Sequence, residues 1–135
     1  MSTETISVAR AEAEIGSVNY RVALKAGHHT LVADEHLGLG GRDAGPAPFE
    51  LVLSGLGACT SITLRMYAER KQWPLSAVHV ALHYVKEGTQ DRIDRALSFE
   101  GDLNEEQRAR LADIAERTPV TLALKSGVSI ITTLK

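Results

Sequence analysis

The longest regular pattern of apolar positions is helical and covers residues 45 to 71. Its positions recur at spacings of three and four, as on one stripe of a helix: Val52, Leu56, Cys59, Thr63 and Met66. Pro48 and Glu50 suit a first helical turn, where proline is tolerated and an acid complements the helix dipole. The pattern therefore predicts one long helix with a buried seam, and the only cysteine of the chain lies in that seam.

Residues 5 to 35 alternate with a period of two, which is typical of strands. The apolar positions are Ile6 and Val8, then Val18, Tyr20, Val22 and Leu24, followed by a short run from His29 to Asp34. Gly16 and Gly27 stand where turns are needed. We expect an antiparallel meander, followed by a crossing rich in glycine and proline over residues 36 to 48.

The pattern after the long helix predicts a hairpin, a helix and a last strand. Residues 75 to 87 alternate with one apolar face, made of Val78, Val80, Leu82 and Tyr84. Residues 92 to 100 pair back through Ile93, Leu97 and Phe99, with a less regular alternation.

A second helix is predicted over residues 105 to 117, capped by Asp102 or Asn104, and it ends at Thr118 because Pro119 follows. A helical turn over 120 to 125 and a strand over 128 to 134 complete the chain. This order indicates an α+β fold in one domain, residues 1 to 135.

Composition and charge limit the kinds of partner and compartment that we expect for this protein. A net charge of -2 gives no electrostatic support for binding nucleic acid or an anionic membrane. One cysteine cannot form an internal disulfide, and the first twenty residues lack the pattern of a secretory signal. No uninterrupted apolar run approaches membrane-spanning length. We therefore expect a protein of the reducing cytoplasm.

Two features of the long helix predict a homodimer. A helix of about 20 residues already spans about 30 Å, the width of a small domain. Small residues leave part of its surface open to another backbone: Ser54, Gly55, Gly57 and Ala58. We expect a second copy of the chain to share this helix.

The stretch GGRDAGPAPFELVLSGLGACT resembles the signature of the OsmC and Ohr family of osmotically inducible and organic-hydroperoxide-resistance proteins. The similarity extends over most of the chain, from the first strands to the last. It implies an intertwined α+β homodimer with no cofactor. It also implies a thiol peroxidase that reduces organic hydroperoxides.

The same resemblance assigns roles to single residues. Cys59 matches the attacking cysteine, which becomes a sulfenic acid. Thr118 stands where the peroxidase branches have a second, resolving cysteine before a proline. A threonine cannot form a disulfide, so turnover here would need an external thiol as reductant.

A cysteine thiol of ordinary pKa, about 8.5, needs a nearby cation or helix N-terminus to become a thiolate at neutral pH. Cys59 lies well past the beginning of its own helix, so we expect a cation. The resemblance implies an arginine held by a glutamate that directly follows a proline. Arg42 is the best candidate for this arginine, and Arg10 and Arg21 are weaker ones.

The glutamate position of the resemblance holds Phe49 here, and Glu50 follows one residue later. In a straight helix the nine residues from Glu50 to Cys59 turn through about 900°, which puts the two on opposite sides. Glu50 therefore either orients an arginine, through a kink or across a dimer, or simply favours its own first turn.

Other interpretations stay open. Cys59 could be a small buried hydrophobic residue, and the chain a non-catalytic OsmC-like dimer that binds a small apolar ligand or senses oxidants. A metal site is not expected. His79 and His83 share a face of one predicted strand but lie about 13 Å apart along it, too far to bind one ion.

Overall fold

The structure is a computed structural model that describes residues 3–135. Its elements, in order, are β1 (Ala11–Ile15), β2 (Val22–Ala26), β3 (His29–Ala33), a short 3-10 turn (Leu37–Leu39), α1 (Pro48–Lys71), β4 (Leu75–Glu87), β5 (Gln90–Gly101), α2 (Glu105–Ala115) and α3 (Pro119–Ser126). The expected α+β class is confirmed. The chain divides into two compact units, one ending at Leu51 and the other spanning Val52–Lys135.

The first unit contains the expected antiparallel meander, in the order β1, β2, β3. The predicted bounds of the first two strands were wrong. Ile6 and Val8 precede β1 and are 76% and 94% exposed, and Val18 and Tyr20 lie in the turn before β2. The β2 register, in which Val22 pairs with Ile15 on one side and Ala33 on the other, fixes the strand ends more strongly than apolar alternation does.

Asp34 organises the crossing that follows β3. It is almost fully buried, and its carboxylate accepts four backbone N–H groups, from Tyr20 (3.3 Å), Glu35 (2.7 Å), Arg42 (3.2 Å) and Ala44 (3.1 Å). Burial alone would raise the pKa of Asp34, but the amide donors outweigh it and hold that pKa below its usual value.

Two glycines let the crossing fold this closely on itself. A Cβ at Gly45 would lie 2.1 Å from the Val32 carbonyl oxygen, and one at Gly41 would lie 2.1 Å from that of Glu35. No side chain fits at either position, which explains the glycine-rich composition of this segment.

The predicted long helix is confirmed as α1, but the predicted buried stripe is only partly correct: Leu56 is buried, and Cys59 and Thr63 are partly buried. The buried positions are Leu56, Thr60, Leu64 and Ala68. They repeat every four residues, which is the helix row that packs as a ridge against neighbouring elements. Val52 and Met66, at the ends of the predicted stripe, are 39% and 52% exposed.

By length and mean hydropathy alone, α1 is long and apolar enough to cross a membrane. Such a helix is weak evidence for a membrane protein, because the core helices of soluble proteins pass the same test.

The second unit is built on the β4–β5 hairpin, which pairs over almost its whole length as predicted. Gly57 of α1 faces this hairpin closely, since a Cβ there would lie 2.9 Å from Leu82 Cδ1 of β4 and would displace that side chain. That small residue therefore accommodates the chain's own hairpin.

The helix α2 begins with a capping box, in which Asn104 and Gln107 bind each other's backbone N–H. The main core cluster of the second unit is made of Leu64, Ala68, Leu75, Leu103, Leu111 and Ala115.

The predicted last strand is not formed. Gly127 ends α3 with φ at 80°, and among residues 3–135 no strand pairs with the segment that follows it. Its apolar side chains are 71% to 96% exposed: Val128, Ile130, Ile131 and Leu134. An apolar sequence of this kind forms a strand only when a sheet edge is there to pair with it.

Candidate functional site

Cys59 lies half-buried in the middle of α1, and its sulfur contacts the first turn of α3. The Val120 N–H donates a hydrogen bond to Cys59 Sγ, with the two atoms 3.5 Å apart. Val120 is the second residue of α3. The N–H groups in a first turn lack partners within the helix and carry a partial positive charge. The Cys59 sulfur therefore lies against the partly positive first turn of another helix.

The sequence pointed to a side-chain cation beside Cys59, because this residue is far from the beginning of its own helix. The structure adds the N-terminus of a different helix. Val120 is 61 residues away along the chain, so no local pattern contains this contact.

Thr118, at the position expected for a resolving cysteine, is the N-cap of α3. Its side chain is fully buried, and its Oγ1 accepts the Thr121 N–H at 3.4 Å and lies 2.7 Å from Thr121 Oγ1. Pro119 fills the first helical position. The position that the resemblance assigns to a second thiol thus holds a buried helix cap.

Arg95 of β5 joins the helices around Cys59. Its side chain is only 11% exposed and donates to four acceptors: Thr60 Oγ1 (3.0 Å), Thr121 Oγ1 (2.9 Å), the Ala115 carbonyl (2.9 Å) and Glu116 Oε2 (3.2 Å). These acceptors lie on α1, on α3 and at the end of α2. One guanidinium therefore connects all three helices.

Sequence reasoning missed Arg95, although a signal was present. The inward face of β5 carries Ile93, Arg95, Leu97 and Phe99. Arg95 is therefore the residue that interrupts the apolar alternation of this strand. A charged residue at an apolar position of a strand indicates a buried polar network. Its partners could not be found in the same way, because they lie 20 to 35 residues away along the chain.

Glu116 completes the exposed side of this network. Lys125 Nζ lies 3.0 Å from Glu116 Oε1, and Arg95 binds the other carboxylate oxygen. The hydrogen bond from Lys125, with a smaller contribution from Arg95, holds the pKa of Glu116 below its usual value.

Arg42 and Glu50 both lie in the first unit. Arg42 is exposed, and its backbone N–H is one of the donors to Asp34. Glu50 is in the first turn of α1, and its Oε1 accepts the Ala47 N–H at 2.8 Å, as the third residue of a capping box does. The contact supports the interpretation of Glu50 as a cap of its own helix. The predicted roles of Arg42 and Glu50 beside Cys59 stay predictions.

A cavity of about 680 Å³ lies beside Arg95 in the second unit. Leu56, Ile93 and Leu124 contribute apolar surface, and the charged part of the lining contains both basic and acidic side chains, such as Arg95 and Asp94. The volume is in the range of sites for small molecules.

A family model described as OsmC-like protein matches residues 40–133, which include α1, the hairpin and both later helices. The chain belongs to the OsmC-like protein family. This confirms the family resemblance found in the motif around Cys59.

Solved structures share the fold of this OsmC-like chain. An OsmC-like protein of Mycoplasma pneumoniae has a TM-score of 0.76 at 16% identity, over 90% of this chain and 89% of that one. An organic hydroperoxide resistance protein OsmC of Legionella pneumophila has a TM-score of 0.61 at 23% identity, over 90% and 92%. One from Elizabethkingia anophelis has a TM-score of 0.63 at 18% identity, over 91% of each. No curated protein sequence matches the chain significantly.

Proposed function

We propose that this OsmC-like chain is a cysteine-dependent peroxidase that reduces organic hydroperoxides, with Cys59 as the nucleophile and an external thiol as the reductant. The observation that supports this most is the Val120 N–H donated to a sulfur that is only half-buried. The family, and neighbours of the same fold that are named organic hydroperoxide resistance proteins, support the substrate class.

The proposed cycle has two stages. The Cys59 thiolate attacks one peroxide oxygen, the O–O bond breaks, and the other oxygen leaves as an alcohol after taking a proton, so that Cys59 becomes a sulfenic acid. An external thiol then attacks the sulfenic sulfur, water leaves, and a mixed disulfide remains. A second thiol releases reduced Cys59 and a small disulfide. In sum, one hydroperoxide and two thiols yield an alcohol, water and a disulfide.

Arg42 and Glu50 have secondary roles in this proposal. The Arg42 guanidinium stabilises the thiolate and the charge on the departing oxygen. Glu50 orients that arginine, although its bond to the Ala47 N–H shows that it also serves as a cap.

The proposed assembly is a cytoplasmic homodimer that shares α1. Exposed apolar residues on α1, such as Ile62 and Met66, and the exposed apolar segment 128–134 support a second copy, because burying them would remove apolar surface from water. Analytical ultracentrifugation should find a dimer at micromolar concentration, and a monomer there would reject this part of the proposal.

The peroxidase is tested with cumene hydroperoxide. Loss of the Cys59 thiol and trapping of its sulfenic acid by dimedone are followed in the wild type and in the Cys59→Ser variant, with dithiothreitol or a dihydrolipoyl compound as reductant. We expect thiol loss faster than that of free cysteine, recycling by the reductant, and neither in Cys59→Ser. A second-order rate no faster than that of free cysteine would reject the peroxidase.

One observation favours a second function. Because Thr118 is a buried cap in place of a second thiol, the chain could be a non-catalytic OsmC-like dimer that binds a small apolar ligand or senses oxidants through Cys59. For the sensing function, the hydroperoxide would consume one thiol per chain, and dithiothreitol or the dihydrolipoyl compound would not restore it. For the binding function, the thiol would react no faster than free cysteine.

A further inference from the structure

We propose that Arg95 is a positioning residue that holds the first turn of α3 against Cys59, so that the Val120 amide stabilises the thiolate. The inference rests on the proposed function of Cys59 as a nucleophile. It adds a residue that does not touch the reacting sulfur.

The position of α3 depends on few contacts. The helix has eight residues, and Thr121 is its only buried one. Leu122 and Leu124, its large apolar residues, are 49% and 44% exposed. Apart from the half-buried Val120, the apolar side chains of α3 therefore contribute little to anchoring it. The hydroxyl of Thr121, which accepts from Arg95 and lies 3.3 Å from the Ala115 carbonyl, is its main buried polar anchor.

The two acceptors of Arg95 Nη1 explain how this anchor reaches the sulfur. Thr60 directly follows Cys59 on α1, and Thr121 directly follows Val120 on α3. Arg95 Nη1 lies 3.0 Å from Thr60 Oγ1 and 2.9 Å from Thr121 Oγ1. One nitrogen atom thus joins the neighbour of the sulfur to the neighbour of the amide that binds it.

A lysine could not do the same, although it carries the same charge. Arginine presents its donors in a fixed planar fork, and here Nη1 serves α1 and α3 while Nη2 serves the end of α2. Arg95→Lys keeps the positive charge but cannot span these acceptors. It therefore separates an effect of position from a through-space effect of charge.

The test measures how readily Cys59 ionises, without any peroxide. The rate of Cys59 alkylation by iodoacetamide at pH 7 is divided by the rate at pH 10, where an ordinary cysteine thiol is almost fully ionised. The rate at pH 10 reports access to the sulfur, so the ratio reports the thiolate present at neutral pH.

The matched variants are Thr121→Val, which removes the acceptor at constant volume, and Thr121→Ser, which keeps it. A hydrogen bond to a charged group corresponds to about a tenfold effect or more, so we expect the ratio to fall by about tenfold in Thr121→Val and in Arg95→Lys. Thr121→Ser should retain the wild-type ratio. Circular dichroism checks that each variant keeps its helices.

Three outcomes would overturn the inference. They are an unchanged ratio in folded Thr121→Val or Arg95→Lys, an equal fall in Thr121→Ser, and a wild-type ratio no higher than that of free cysteine. If Thr121→Val does not fold, Arg95→Lys decides, and loss of folding in both overturns the specific role in favour of a purely structural one. Because no hydroperoxide is used, a chain that fails the peroxidase assay can still pass this test.

Discussion

In each unit of the molecule, a charged side chain that is largely withdrawn from solvent has four hydrogen-bond partners, but the partners differ. In the first unit, the Asp34 carboxylate accepts four backbone N–H groups from a single stretch of chain, residues 20–44. In the second unit, the Arg95 guanidinium donates to oxygen atoms on three helices.

The two buried charges therefore have different structural roles. Asp34 shapes one crossing, because its partners are main-chain groups of that crossing and of the turn before β2. Arg95 fixes elements relative to one another, since its partners belong to α1, α3 and the end of α2. Loss of Asp34 should therefore act locally, whereas loss of Arg95 should weaken the whole second unit.

The largest expected effect is that of Arg95→Met on stability. Arg95→Met removes donors from the buried oxygens of Thr60, Thr121 and Ala115, and a buried acceptor that loses its partner typically costs about 1 to 3 kcal/mol. Urea denaturation followed by helical circular dichroism should show this loss in the free energy of unfolding.

Arg92→Met is the matched control for this experiment. Arg92 lies on the same strand, but its side chain is 47% exposed and its ion pairs with Glu87 and Asp94 are at the surface, where solvent screens them. We expect its urea midpoint to be close to that of the wild type. Equal losses in Arg92→Met and Arg95→Met would contradict the contrast between a local and a connecting charge.

The same contrast explains what the sequence could predict. Local patterns indicated α1, the hairpin and a cap of α2 at Asp102 or Asn104, because each depends on residues close together in the chain, and the cap is Asn104. The motif around Cys59 also gave the family. Contacts between distant residues were not accessible, and the amide of Val120 beside Cys59 is the clearest case.

The errors have physical causes as well. Alternation placed a first strand at Ile6 and Val8, although pairing with β2 sets β1 at Ala11–Ile15. The stripe predicted for α1 followed residue type, whereas the neighbours in the fold bury a row of every fourth residue that includes Thr60. Thr60 can be buried in that row because its hydroxyl donates to the Leu56 carbonyl and accepts a hydrogen bond from Arg95.

The second prediction is a local effect of Asp34→Asn. An amide side chain offers one acceptor oxygen where the carboxylate offers two, and it carries no charge. We expect hydrogen exchange at the Arg42 and Ala44 amides to accelerate by about tenfold or more, which corresponds to the loss of one ordinary hydrogen bond. Amides of the β4–β5 hairpin should exchange as in the wild type.

Asp43→Asn provides the control for Asp34→Asn. Asp43 lies in the same crossing with a side chain that is 63% exposed, and its φ of 54° is a conformation that asparagine also tolerates. It should leave both amides unchanged. An equal increase in the exchange rates of the hairpin amides would show that the effect of Asp34 is not local.

The smallest expected effect concerns pH and Glu116. Because Lys125 and Arg95 hold the folded-state pKa of Glu116 below its usual value, its contribution to stability is present above the unfolded pKa, about 4.3, and is lost as the pH falls through the folded value. The side chain is 58% exposed, so solvent keeps this contribution small. Glu116→Gln should therefore lower the melting temperature slightly at pH 7 and reduce the difference between pH 7 and pH 3, measured by calorimetry. Glu69→Gln, at an exposed position on α1, is the control and should show the same difference between pH 7 and pH 3 as the wild type. If Glu116→Gln also showed the wild-type difference, the contacts of Lys125 and Arg95 with Glu116 would add nothing to the connecting role of Arg95.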